Sequence, residues 1–249
     1  MRIFLYGHTA FEYWLQARFR PDSTACFDTR ILSDCAVSQR STDYLGETMP
    51  FLSRPYHLIV ADDLAKRKNT SAVIHTSRRA LPQGSFERVA NGIYASSPEL
   101  CFAQIAREKN LLELIFAGYL LAGRFAMSSN RATGHAALLK RKPFTSPQQI
   151  SRYLAQIPSY SGSRLAQKAL PHVIANAASP PEALAAIRLS LPCRLGGFGL
   201  PQPILNCRIN LSSKARAIAT RSFHEVDLCW PDSKIVVEYN SNSIHLDPS

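Results

Sequence analysis

Two carboxylates eleven residues apart, Asp227 and Glu238, are the side chains of this chain best placed to do chemistry. They lie in Phe223-His-Glu-Val-Asp-Leu-Cys-Trp-Pro-Asp-Ser-Lys-Ile-Val-Val-Glu-Tyr-Asn240. Two runs rich in aromatic and β-branched residues, 223–230 and 234–240, flank Pro231-Asp232-Ser233, and together they read as a β-hairpin. A loop at Asp232-Ser233 sets Asp227 opposite Glu238 and Glu225 opposite Asn240. Opposed β-carbons are roughly 4.5–5.5 Å apart, and like charges there repel. A hard divalent cation would turn that repulsion into binding, because Mg²⁺ takes one or two carboxylates together with substrate phosphate oxygens. The alternative is an exposed acidic face on an ordinary hairpin. Alternation puts Val226, Leu228, Trp230, Ile235, Val237 and Tyr239 on the other, wholly apolar face, the expected core side.

The elements that must position this hairpin are legible upstream. Ser179-Pro-Pro-Glu182 opens a helix that ends by Pro192, with Ser179 as cap and Glu182 complementing the dipole. Gly196-Gly-Phe-Gly199 and the Pro201 and Pro203 pair form a loop, and Ile204 to Leu211 reads as a strand. The order from 179 onward is therefore helix, strand, strand, strand. Earlier, Ser97-Pro98-Glu99 starts a strong helical stretch whose apolar positions divide into two helices near Asn110. Tyr56–Val60 and Ala72–His75 read as strands, and Asn91-Gly92 as a turn into Ile93-Tyr94. Thr9-Ala-Phe-Glu12 has the pattern of a capping box at the start of a short helix. The expected fold class is α+β.

Charge narrows the partners. Twenty-nine Lys and Arg against eighteen Asp and Glu give +11 and a pI near 9.6. Between Leu114 and Pro181 there is no acidic residue, while Arg124, Arg131, Lys140, Arg141, Lys142, Arg152, Arg164 and Lys168 fall inside. A polyanion is the expected partner, with DNA phosphates the first candidate and Lys140, Arg141, Lys142, Arg164 and Lys168 the contacts. Tyr153 and Tyr160 lie close enough in sequence to stack on bases, or else they pack in the core. His8, His57 and His75 have no acid or Cys at catalytic spacing and read as structural.

Six cysteines at 26, 35, 101, 193, 207 and 229 show neither metal-ligand spacing nor disulfide density, which suits a reducing cytoplasm. The first residues are too short and polar a run for a signal peptide, and the apolar stretch Leu111–Gly123, interrupted by Glu113, is shorter than a membrane span.

The helix and three strands, with their acids, resemble the PD-(D/E)XK nuclease superfamily, and within it the very-short-patch-repair endonuclease-like branch. The resemblance covers roughly 176–247. It rests on Ser179-Pro-Pro-Glu182, Gly196-Gly-Phe-Gly-Leu200, Pro203-Ile-Leu-Asn206, Asp227-Leu-Cys-Trp-Pro231, Val237-Glu-Tyr-Asn-Ser-Asn242 and His245. It implies a restriction-endonuclease-like αβββ core in which Glu182, Asp227 and Glu238, with position 240, surround Mg²⁺ or Mn²⁺ and drive phosphodiester hydrolysis. Asn240 stands where that branch commonly has Asp, and an uncharged amide cannot act as a base. The resemblance also implies an incomplete core, because relatives continue into a further helix and strand.

Tyr56-His-Leu-Ile-Val60, Val73-Ile-His-Thr76, Leu81-Pro82 and Asn91-Gly-Ile-Tyr-Ala-Ser-Ser-Pro98 resemble the core region of AbiEi-type antitoxin proteins, DNA-binding regulators of toxin–antitoxin systems. The expected organisation is an antitoxin-like region over 1–128, a basic linker or helical region over 129–175 and a truncated nuclease-like domain over 176–249. Three functions are then in play. They are a DNA endonuclease, a non-enzymatic DNA-binding regulator with a toxin partner, and a truncated product with no function of its own.

Overall fold

The computed structural model describes residues 2–21, 26–35, 37–62, 69–77, 79–129, 136–216, 218–219 and 222–239. The first strand, β1 (Ile3–Leu5), is too short for periodicity to reveal, yet it lies near the middle of a six-stranded mixed sheet. The sheet runs β2 (Cys26–Phe27), β5 (Phe86–Ala90), β6 (Ile93–Ser96), β1, β3 (Tyr56–Val60), β4 (Ala72–Thr76). β1 pairs parallel with β6 and antiparallel with β3, and β3 pairs parallel with β4. Ile3, Phe4 and Leu5 are all fully buried, because a central strand covered on both faces carries an unbroken apolar run. The expected strands at Tyr56–Val60 and at Ala72 onward are both present, and the Asn91-Gly92 turn joins β5 to β6.

Helix α1 (Gly7–Gln16) packs on α3 (Pro98–Ile105) and touches β3 and β6. Its start differs from the expected capping box. The helix begins at Gly7, Thr9 Oγ1 accepts the N–H of His57, and Glu12 accepts from Ser53 N and Oγ. Both side chains tie the helix to neighbouring segments. α2 (Gln39–Thr48) has Ser38 as its cap. The stretch after residue 97 does form two helices, α3 capped by Ser97 and α4 (Leu111–Leu121) capped by Asn110. Apolar residues surround α4, and such a helix belongs inside a protein. Leu114, Ile115, Tyr119 and Leu121 are fully buried, and α4 packs on α3, α6 (Ser163–Ala169) and α7 (Pro180–Ser190).

The stretch expected as a basic linker or helical region contributes helices and buried side chains to this core. β7 (Phe125–Ser129) and β8 (Ala136–Lys140) form a hairpin that spans the expected boundary at residues 128 and 129. α5 (Pro147–Gln156) packs on α3, and Tyr153 is buried with its hydroxyl 2.6 Å from Ser85 Oγ. Tyr153 is thus a core residue and no base-stacking platform. Among the described residues, no helix is long and apolar enough to cross a membrane.

The last part has the expected order. α7 is followed by β9 (Ile204–Asn210), a short α8 (Ser213–Arg216), β10 (Phe223–Trp230) and β11 (Ile235–Val237), with sheet order β11-β10-β9. α7 packs against β10.

Candidate functional site

The hairpin has the register expected from its turn. Leu228 pairs with Val237, Cys229 with Val236 and Trp230 with Ile235, and the N–H of Lys234 closes the turn on Pro231 O. Continued one step beyond the last pair, Leu228–Val237, the same register would set Asp227 opposite Glu238. The expected core face holds only on β10, where Val226 and Leu228 are buried. On the β11 side Ile235, Val237 and Tyr239 are exposed, because β11 is an edge strand with no layer over it among the described residues.

β11 ends at Val237, and the side chains of the two acids then part. Asp227 Oδ2 accepts the backbone N–H of Tyr239 at 2.7 Å, so it closes the end of the edge strand. Glu238 Oε1 lies 3.3 Å from His224 Nε2. Glu182 is buried at the start of α7. Its oxygens accept from Ser179 Oγ (2.9 Å), Ala178 N (2.9 Å) and Asn206 Nδ2 (3.1 Å). Asn206 also donates to Asn176 O at 2.8 Å, and its positive φ of 51° interrupts β9 between the pairs Cys207–Val226 and Leu205–Leu228. Asn tolerates that left-handed conformation better than other residues with a side chain. Glu182 therefore reaches the strand beside Asp227 through an asparagine amide.

Magnesium and manganese require negative oxygens that converge on one point. As arranged, Glu182 uses both oxygens on protein donors, while Asp227 and Glu238 each use one. Among the described residues, no three His, Cys, Asp or Glu side chains form a group able to hold a metal. Asn240, Asn242 and His245 lie outside the described residues. Glu225 pairs with Arg124 at 3.0 Å and Arg208 at 3.6 Å, an ion-pair cluster joining β9 and β10 to the segment just before β7.

The basic residues divide into two kinds. Lys140, Lys142, Arg152, Arg164 and Lys168 are exposed. Arg141 is a correction, since its side chain is buried rather than part of a basic surface loop. Its guanidinium donates to Trp14 O and Ala17 O at the end of α1 and to Leu120 O at the end of α4, and Phe144 covers it at 4.1 Å. Helix C-termini leave carbonyls unpaired and carry partial negative charge, and a planar five-donor fork satisfies two of them at once. Burial pulls the Arg141 pKa down to about 10. The basic cluster at 66–68 and Arg131 lie outside the described residues.

The histidines gain neighbours that the sequence did not predict. The parallel pairing of β3 and β4 places His57 Nδ1 3.2 Å from His75 Nε2, Tyr6 stacks on His75 at 4.1 Å, and His8 meets His57 edge-on at 6.3 Å. Burial lowers the His57 pKa, the Glu108 charge opposes that shift, and His8 lowers it further. Their separations of 18 and 49 residues gave no local signal; the β3–β4 pairing joins His57 to His75, and α1 carries His8 beside His57.

Comparison with known proteins finds no matching family model, no matching curated protein and no matching solved structure.

Proposed function

We propose that this protein associates with DNA through its phosphates and acts as a non-enzymatic, regulator-type binder. The observation that carries the reading is how the acid-free stretch folds. Its cations at 140, 142, 152, 164 and 168 are exposed, whereas Glu87, Glu99 and Glu182 are buried. Among the described residues the buried charges are these three carboxylates and one cation, Arg141. Neutralised phosphates release counterions, so affinity falls with salt at a slope of about 0.9 per contact on duplex DNA. The test is fluorescence anisotropy of a labelled duplex across a KCl series. Lys140→Gln with Lys142→Gln should lower the slope by roughly 1.8, two contacts' worth. A duplex that does not bind at low salt, or a slope unmoved by the double substitution, refutes the reading.

A second reading, magnesium- or manganese-dependent hydrolysis, is favoured by one observation: the hairpin register, continued one step, sets Asp227 opposite Glu238, and Glu182 bonds Asn206 on β9, the strand next to Asp227. It requires the two strand carboxylates to turn towards one point, away from Tyr239 N–H and His224. Nicking of supercoiled plasmid that vanishes in Asp227→Ala supports this reading, and salt-sensitive binding without nicking supports the first.

A further inference from the structure

The cavity between the segment after α1 and the segment after β8 is built differently from the rest of the basic surface. It has a volume of about 670 Å³, within the usual size of small-molecule sites, and Arg18, Phe19, Lys140, Arg141 and Lys142 line it. Its floor is a buried cation. Among the described residues Arg141 has no carboxylate partner, and its buried Nε has no hydrogen-bond acceptor. The helix-end carbonyls offset part of that charge, but the low-dielectric setting leaves it attractive to an anion. Arg20, also in the wall, is neutralised by Glu87 and Glu99. Arg18, Lys140 and Lys142 have no ion-pair partner among the described residues.

The other component is aromatic. Phe19 is 78% exposed beside this cluster, with the Arg18 guanidinium 5.7 Å from its ring centre. An exposed phenyl ring is costly in water, and the cavity it lines holds four other cations besides Arg18, together with Pro143 and Phe144. Cations beside a free ring are the combination that holds nucleotides, since the phosphate meets the charge and the base stacks on the ring. A duplex keeps its bases stacked inside, so the ring suits an unpaired base.

We infer that this cavity binds a single nucleotide unit, its phosphate beside Lys140, Lys142 and the Arg141 floor and its base against Phe19. The inference rests on the phosphate-binding reading above and adds a site and a ligand class to it. The same chemistry is offered by a free mononucleotide and by the phosphorylated end of a single strand.

The test titrates the full chain with adenosine 5′-monophosphate, with inorganic phosphate, and with a 5′-phosphorylated single-stranded oligonucleotide, followed by calorimetry. Phe19→Ala and Lys142→Gln are the variants, because both side chains are exposed and their loss leaves the fold intact, as a melting curve verifies. The expected result is saturable nucleotide binding, tighter than inorganic phosphate and weakened about tenfold in Phe19→Ala, near the low end of base–aromatic stacking. If only the oligonucleotide shows this behaviour, the site takes strand ends; if both do, it takes nucleotides generally, and either outcome supports the inference. Nucleotide binding unchanged by both substitutions overturns it. Duplex binding that persists with no nucleotide uptake overturns it too, while leaving the phosphate-binding reading standing. Nucleotide uptake without duplex binding supports the site and removes the broader reading.

Discussion

Arg20 holds two buried carboxylates, and its removal should be among the most damaging single changes in the chain. Its Nη2 lies 2.6 Å from Glu87 Oε1 and 3.3 Å from Glu99 Oε2, its Nε bonds both Glu87 oxygens, and its Nη1 donates to Phe144 O. Glu87 is fully buried and Glu99 is 7% exposed, so Arg20→Met leaves two charges with little water to solvate them. Breaking a buried pair by removing one partner costs about 3–5 kcal/mol. The Arg20 side chain is 31% exposed, and that screening favours the lower end, about 3 kcal/mol. For a chain of this size that lowers the melting temperature by roughly 6–12 °C.

The pH dependence gives a second check. Burial raises the Glu87 pKa, and Arg20 pulls it back down. A carboxyl with a raised folded value contributes its stability below the unfolded value and loses it as pH rises through the folded one. Without Arg20 the folded value rises further, so the penalty should be large near pH 7 and shrink towards about pH 4, where Glu87 is protonated. Adding Glu87→Gln should recover part of the loss. Urea denaturation of the wild type, the single and the double variant at several pH values measures this. A loss under about 1 kcal/mol at pH 7, or a loss that does not vary with pH, refutes the buried-pair argument.

Other consequences are also open to measurement. Arg141→Lys should destabilise despite keeping a cation, by about 2–4 kcal/mol, because one ammonium cannot span the carbonyl groups at both helix ends; chemical denaturation reads it. Gly162→Ala should cost about 2–4 kcal/mol, since φ is +101° and a β-carbon there would lie 2.2 Å from Ala103 O; the urea midpoint reports it. His57 and His172 have pKa values lowered chiefly by burial, with Glu108 opposing the shift and His8 assisting it at His57 and Arg194 assisting it at His172. Their neutral forms favour the fold, so their contribution is intact above the ordinary histidine value and is lost as pH falls from there through the lowered folded values. His57→Gln should flatten melting temperature against pH in that window, and an unchanged curve would count against it.

The local elements of this protein were readable because their causes are local. Ser97-Pro98-Glu99 and Ser179-Pro-Pro-Glu182 carry their own caps, and both helices start there. Asn91-Gly92 and Asp232-Ser233 set turns, and a turn fixes which residues face each other, so the hairpin pairing followed from the sequence. The α+β class and the order of the last helix and strands followed likewise.

What the tertiary structure decided was where side chains ended up after the chain returned on itself. β1 gained its central position from strands more than fifty residues away. Arg141 looked like one of three basic loop residues until the ends of α1 and α4 met around it. Asp227, Glu238 and Glu182 each found protein partners, and three histidines gathered because strand pairing joined two of them and a helix carried the third alongside. Backbone propensity and turn chemistry act over a few residues and are written in order along the sequence. Burial and hydrogen-bond competition act across space, and they settle a side chain's role only when every neighbour is in place.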